Sequence, residues 1–213
     1  MSIVKIETFG NPDSNVYLVM GDRNLLVDTG LGYHPEVMFK SIKKNLDGAD
    51  LHYVALTHCH VDHIGGLSSI VQEFSPKVLA MEPDASAIRS ADPVVTLSKD
   101  FGIDLAPSPV DAVHDGDILD LGGRELRFVA TPGHTEGGMC IHDDRDKALI
   151  TGDTLFCPGI GRTDLPTGSL PHLRKSLGKL DGLQFISVYP GHGEPSLYSG
   201  RDYLNLGIRL AGE

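Results

Sequence analysis

The stretch LTHCHVDHIGG, residues 56–66, places His58, His60, Asp62 and His63 within six consecutive positions. Imidazole and carboxylate are the ligand types that divalent transition metals take. In an extended segment alternate side chains share a face. His58 and His60 can therefore grip one ion, while Cys59 between them turns away into packing. Asp62 and His63 are adjacent and cannot point the same way in a strand; they sit at the turn entering the next helix, within reach of a second ion. Four apolar, strand-like runs each end in a residue of this kind: YVALT at His58, LRFVATPG at His134, ALITG at Asp153 and FISVYPG at His192. One histidine after a strand reads as a surface residue. Four such coincidences, one of them the dense cluster, read as a site built from loops at one edge of a β scaffold. Two close divalent ions lower the pKa of a shared water from about 15.7 toward about 7. They also stabilise the oxyanion formed on a carbonyl, so hydrolysis needs no side-chain nucleophile.

The elements that must position these residues alternate along the chain. IVKIETF, NVYLVMG and NLLVDTG read as strands, the last two joined by a turn at Gly21-Asp22. Met38, Ile42 and Leu46 recur four apart with lysines between them, which predicts a helix over Pro35–Leu46. HYVALTH is a buried strand, and Ile64, Leu67, Val71 and Phe74 predict a helix over 64–74. VLAM is a short strand. Residues 83–109 read as a short helix and a loop bordering the site. DAVHDGDILDLGG with ELRFVAT, and then the two arms of MCIHDDRDKALITGD, read as hairpin-like pairs. Leu170, Leu173, Leu177 and Leu180 mark a further helix, FISVYPG the last clear strand, and the tail from Tyr198 is helical. Strands in both halves, interleaved with helices, imply two sheets covered by helices on their outer faces within one domain, residues 1–213. The tripeptide PGH at 132–134 and 190–192 hints at duplicated halves. His34, His52, His114, His142 and His172 are not expected to bind the metals.

The bulk composition excludes several classes. A formal charge of −11 and the lack of a basic insertion argue against a nucleic-acid groove or a polybasic membrane surface. The N-terminal residues show no signal peptide, and no apolar run approaches a membrane span. Cys59, Cys140 and Cys157 form no C-x-x-C pair and no disulfide framework, which points to the reducing cytoplasm. Nothing in the pattern reports the oligomeric state.

The motif H-x-H-x-D-H at 58–63, followed by His134, Asp153 and His192, resembles the metallo-β-lactamase superfamily across nearly the whole chain, from Asp28 in VDTG to YPGHG. The resemblance implies an α+β fold, a four-layer αββα sandwich, with a dinuclear site at one edge of its two sheets. It implies that His58, His60 and His134 hold the first metal, that Asp62, His63 and His192 hold the second, and that Asp153 bridges them. The donor set suits zinc, with iron or manganese as alternatives. Asp28 is similar to an aspartate that orients a ligand through a hydrogen bond; a turn residue capping Thr29-Gly30 is an equal alternative.

Asp153 stands where many true β-lactamases of this fold carry cysteine, and His60 where di-iron oxygen reductases carry glutamate. The segment GDTLFCPGIGRTDLPTGS with PGHG resembles short thioester hydrolases of the glyoxalase II type. This implies hydrolysis of small acyl thioesters by a metal-bridging hydroxide, with Asp62 as the catalytic side chain that orients it or delivers a proton. Arg162 and Asp164 are expected to pair and brace the loop under Asp153, in preference to contacting substrate. Phe156 lines the pocket or packs in the core. Full-length glyoxalase II enzymes carry a C-terminal helical region that helps bind glutathione; 21 residues follow His192 here, so a weak hold on the thiol is expected. The alternative is a single-iron persulfide dioxygenase of the same fold, using His58, His134 and Asp153. A non-enzymatic binding module is disfavoured by the intact ligand set.

Overall fold

The computed structural model describes residues 3–10 and 13–212. Two sheets face each other. The first takes β1 (Ile3–Ile6), β2 (Val16–Val19), β3 (Asn24–Val27), β4 (Leu51–Leu56), β5 (Lys77–Met81) and β6 (Asp111–Val113), in that spatial order. β1, β2 and β3 are antiparallel neighbours, whereas β3 to β6 run parallel. The parallel pairs require crossovers. These are α1 (Pro35–Leu46), then α2 (Val61–Ile64) with α3 (Leu67–Phe74), then α4 (Asp84–Ser90) with α5 (Ser98–Phe101). The second sheet holds β7 (Ile118–Asp120), β8 (Glu125–Ala130), β9 (Met139–Asp143) and β10 (Ala148–Gly152), with β13 (Ser187–Pro190) beside β10 at its edge. A two-stranded ribbon, β11 (Leu155–Phe156) with β12 (Gly159–Ile160), and α6 (Leu170–Asp181) connect β10 to β13; α7 (Gly200–Gly212) follows.

Strand alternation sorts the apolar residues into three layers. Tyr17, Val19, Leu25, Val27 and Ala55 pack with Phe128, Met139, Ile141 and Ile150 between the sheets. Their neighbours Val16, Leu18, Leu26, Val54 and Leu56 point the other way, against Met38 and Ile42 of α1 and Leu67 and Ile70 of α3. Val129, Cys140, Leu149 and Val188 of the second sheet pack on Leu173, Leu177 and Leu180 of α6 and Leu204 of α7. The helix layers thus cover both outer sheet faces, giving the expected αββα sandwich. β2, β3 and β10 are buried on both faces and so read as continuous apolar runs. At a turn between strands, buried Arg124 donates to Asp143 Oδ2 at 2.8 Å and to the Met20 carbonyl at 3.2 Å, clamping the second sheet to the first.

Strand direction collects the site. β8 and β10 are both antiparallel to β9, and β13 is parallel to β10, so these three end on one edge. His134, Asp153 and His192 lie just beyond those ends, and His58 just beyond β4.

Three expectations are corrected. The helix expected over 64–74 is broken into α2 and α3 at Gly65-Gly66. A Cβ on Gly65 would stand 2.3 Å from the Leu31 carbonyl oxygen, and one on Gly66 2.2 Å from that of Thr29. The loop after β3 therefore lies directly on the break, and Asp62 and His63 occupy a helical turn of their own rather than the entrance to a long helix. Only the second half of DAVHDGDILDLGG forms the expected hairpin arm: β7 pairs antiparallel with β8 in the second sheet, whereas β6 joins the first, with Gly116 at φ +87° between them. Residues 83–109 contain two short helices, not one.

Gly66→Ala is expected to lower stability by about 1–3 kcal/mol, because the added methyl meets backbone that cannot yield. Gly178→Ala, within α6 where an added Cβ meets nothing, is expected to raise it by about 0.5–1 kcal/mol. Denaturant unfolding of the two variants measures both.

Candidate metal centre

The structure brings all seven sequence-predicted residues together. His58, His60 and His134 form one group of potential ligands, Asp62, His63 and His192 another, and His58, His63 and Asp153 a third that overlaps both; within each group the ligand atoms lie within 4.8 Å of one another. His58, His60, His63 and His134 are buried; the His192 ring, 36 % exposed, opens to solvent.

Hydrogen bonds behind the rings set which nitrogen faces the centre. The Thr57 hydroxyl donates to Asp28 Oδ2 at 2.8 Å, so His58 Nδ1, 3.1 Å from that hydroxyl, must donate to it. His63 Nδ1 donates to Asp28 Oδ2 at 2.8 Å, and His134 Nδ1 to the Arg162 carbonyl at 2.7 Å. Each bond fixes the ring orientation and turns Nε2 inward. His60 instead presents Nδ1, 2.9 Å from His134 Nε2. His192 Nε2 lies 3.1 Å from Asp62 Oδ2 and 3.7 Å from Asp153 Oδ2. Asp28 therefore has the orienting geometry, with the Thr57 backbone N–H on its other oxygen at 2.7 Å. Thr57 and the Arg162 carbonyl were missed in the sequence. A hydroxyl beside a histidine and a backbone oxygen carry no spacing signal.

Cys59 faces away as expected: it is buried in the helix-facing core, and its thiol lies 3.8 Å from the Val95 carbonyl. Arg162 and Asp164 pair through two hydrogen bonds of 2.8 and 2.7 Å, at the surface. The loop does press on Asp153, since a Cβ on Gly161 would lie 1.8 Å from the Asp153 carbonyl oxygen. The Phe156 ring centroid is 6.3 Å from that of His192, at the rim. Of the histidines not expected to bind, His142 Nε2 donates to the Gln184 carbonyl at 2.9 Å, and none of the five joins a ligand group.

The electrostatics fit a cation. Burial, reinforced for His58 by its neighbouring imidazoles and for His60 by His134, pushes both pKa values down, that of His60 to about 3. Both are neutral and free to ligate. Burial would also lower His63, but Asp153, Asp28 and Asp62 outweigh it and hold its pKa well above the usual value. Burial would raise the pKa values of Asp62 and Asp153; the surrounding histidines, His63 first, outweigh it and keep both carboxylates ionised. His58 Nε2, His60 Nε2, His63 Nε2 and Asp153 Oδ1 are buried without a well-formed hydrogen bond, although His63 Nε2 and Asp153 Oδ1 lie 3.3 Å apart. Each such atom costs about 1–3 kcal/mol. Ligation removes that cost for the inward-facing atoms, so the donor set fits one or two divalent ions.

Comparison with known proteins agrees. The family model of the metallo-beta-lactamase superfamily matches residues 10–192. Over 197 residues the chain is 34 % identical to the probable metallo-hydrolase MJ0888 of Methanocaldococcus jannaschii, covering 90 % of this chain and 93 % of that protein. It is 33 % identical to the acyl-coenzyme A thioesterase MBLAC2 of Bos taurus, over 67 % of this chain and 58 % of that one. Identity to the hydroxyacylglutathione hydrolase of Rhodopseudomonas palustris is also 33 %, over 78 % and 54 %. The chain thus spans little more than half the length of these last two relatives. Among solved structures, the BLEG-1 B3 metallo-beta-lactamase superposes with a TM-score of 0.80 at 25 % identity, covering 91 % of this chain and 93 % of that one. TTHA1623 in a di-iron-bound form gives 0.78 at 28 % identity, covering 95 % and 96 %.

Asp153→Ala is expected to lose most of the bound metal, whereas Cys59→Ala keeps the wild-type content, because the thiol faces away from every ligand group. Elemental analysis of both variants after loading and desalting checks this; metal loss in Cys59→Ala would contradict the geometry.

Proposed function

The chain belongs to the metallo-beta-lactamase superfamily of metal-dependent hydrolases, and on that footing we propose that it hydrolyses small acyl thioesters at a centre of two divalent ions. His58, His60 and His134 hold one ion, Asp62, His63 and His192 the other, and Asp153 both. Zinc is the first choice, with iron or manganese as alternatives. When bound, such ions supply an acidified water and a Lewis acid for the thioester carbonyl.

The observation that carries the reading is two groups of potential ligands joined by a third, which takes His58 from one, His63 from the other, and Asp153. It supports two close ions rather than the single ion of a persulfide dioxygenase. The chain's own residues do the rest. Hydrogen bonds at Nδ1 hold the rings of His58, His63 and His134 so that Nε2 of each faces the centre, and His63 gives up its Nε2 proton on ligation. Asp62, ionised and 3.1 Å from His192 Nε2, is placed to take a proton from the attacking water. The water oxygen bonds to the acyl carbon, the carbon–sulfur bond breaks, and the proton passes to the departing sulfur.

Two similar proteins, named as an acyl-coenzyme A thioesterase and a hydroxyacylglutathione hydrolase, support a thioester substrate. Beside His192 a groove of about 720 Å³ runs between Lys5, Glu7, Asp13, Asn15 and Glu194, with room for the thiol arm. It is open and of mixed charge, which supports a loose hold on that arm.

Metal-replete protein is expected to cleave S-lactoylglutathione and short acyl thioesters, and β-lactams far more slowly. Exchanging the thiol at constant acyl group is expected to change kcat/KM by less than about tenfold, or about 1.4 kcal/mol. Steady-state kinetics across a small thiol series decides this. Faster β-lactam turnover would move the assignment to the lactamase branch. Persulfide-dependent oxygen uptake without thioester hydrolysis would move it to the dioxygenase.

A further inference from the structure

Asp84 stands at the first turn of α4, outside every ligand group, and is 1 % exposed. Its carboxylate is shared between two distant loops. Oδ2 accepts the Cys59 backbone N–H at 2.9 Å and the Thr135 hydroxyl at 2.7 Å; Oδ1 accepts the Gly137 N–H at 2.7 Å. Cys59 lies between His58 and His60, and Thr135 follows His134. One buried side chain therefore ties the backbone of the His58–His60 segment to the backbone of the His134 loop. Gly137 presses onto it, since a Cβ there would stand 2.6 Å from Asp84 Oδ1.

Asp62, His63 and His192 are held differently. His63 is fixed by Asp28, the His63 carbonyl accepts the Thr29 N–H at 2.7 Å, and the Gly191 carbonyl accepts the Asn15 N–H at 2.7 Å. Asp84 makes no hydrogen bond to that half of the centre. Burying a carboxylate is costly unless its acceptor sites are filled. Here three donors fill them, and among the described residues no ion pair of Asp84 is found within 4 Å. An apolar residue would fill the space without that cost, so the carboxylate at this position points to a demand for two loops to be set at one distance.

We propose that Asp84 is a positioning residue for the three-histidine half of the centre, setting the spacing of His58 and His60 against His134 without touching either ion. The inference rests on the two-ion reading above. In Asp84→Asn one acceptor oxygen becomes an NH2 donor, so at least one backbone N–H, that of Cys59 or that of Gly137, loses its acceptor and meets a donor instead.

The test is a competitive chelator titration of the cobalt(II)-loaded protein, followed in the visible spectrum and by total metal. The two binding steps are assigned with His134→Ala and His192→Ala as references. Wild type is expected to show two steps. Asp84→Asn is expected to weaken the step lost in His134→Ala by about tenfold or more, the scale of lost outer hydrogen bonds, and leave the other within about twofold. Thr135→Val, which removes one hydroxyl and keeps the carboxylate, is expected to shift the same step by less, and it serves if Asp84→Asn does not fold. Equal weakening of both steps, or no shift in a folded variant, would overturn the positioning role. A wild type with one step would instead overturn the two-ion reading, so the two failures are distinguishable.

Discussion

Nitrogen and oxygen atoms buried without partners at the edge of a double sheet are the constraint on which the rest of this structure depends. His58 Nε2, His63 Nε2 and Asp153 Oδ1 converge at the strand ends; His63 Nε2 and Asp153 Oδ1 stand 3.3 Å apart as an ion pair, and none of the three makes a well-formed hydrogen bond. Such an arrangement is costly in the free chain, because each group gives up water for little in return. It persists because the surrounding fold over-determines it. Asp28, Thr57 and the Arg162 carbonyl hold the opposite ring nitrogens, so the imidazoles cannot rotate away to find partners. A divalent cation is the ligand that satisfies this set of lone pairs and carboxylates together.

The sandwich is the means of holding that constraint. Parallel and like-directed strands end on one edge, so loops distant in sequence arrive at one place. Layers of apolar contacts on both faces of each sheet keep the strand ends fixed while the edge stays polar. The same logic explains the glycines at 65 and 66. The backbone carrying Asp28 must approach the turn that carries Asp62 and His63 more closely than any side chain allows. Precision at this turn comes from backbone contact.

Much of this was legible in the sequence, for physical reasons that can be named. The candidate ligands were visible because metal binding demands particular residue types and because strands announce their ends with turn residues. The two-sheet architecture was visible because buried strands are continuous apolar runs. The break at Gly65-Gly66 was not, since the apolar period continues through it and only contact with the loop after β3 interrupts it. The split of residues 111–120 between two sheets was equally hidden, because both arms look like strands of one hairpin. Asp84 left no trace at all. Its partners Cys59, Thr135 and Gly137 are related to it by folding alone, and two of the three bond through backbone atoms.

X-ray anomalous scattering from crystals soaked in zinc, recorded on either side of the zinc edge, tests the central claim most directly. The account predicts two peaks in the buried cluster roughly 3.5–4 Å apart, one against His58, His60 and His134, the other against Asp62, His63 and His192, with Asp153 between them. A single peak at saturating zinc, or peaks away from these side chains, would contradict it.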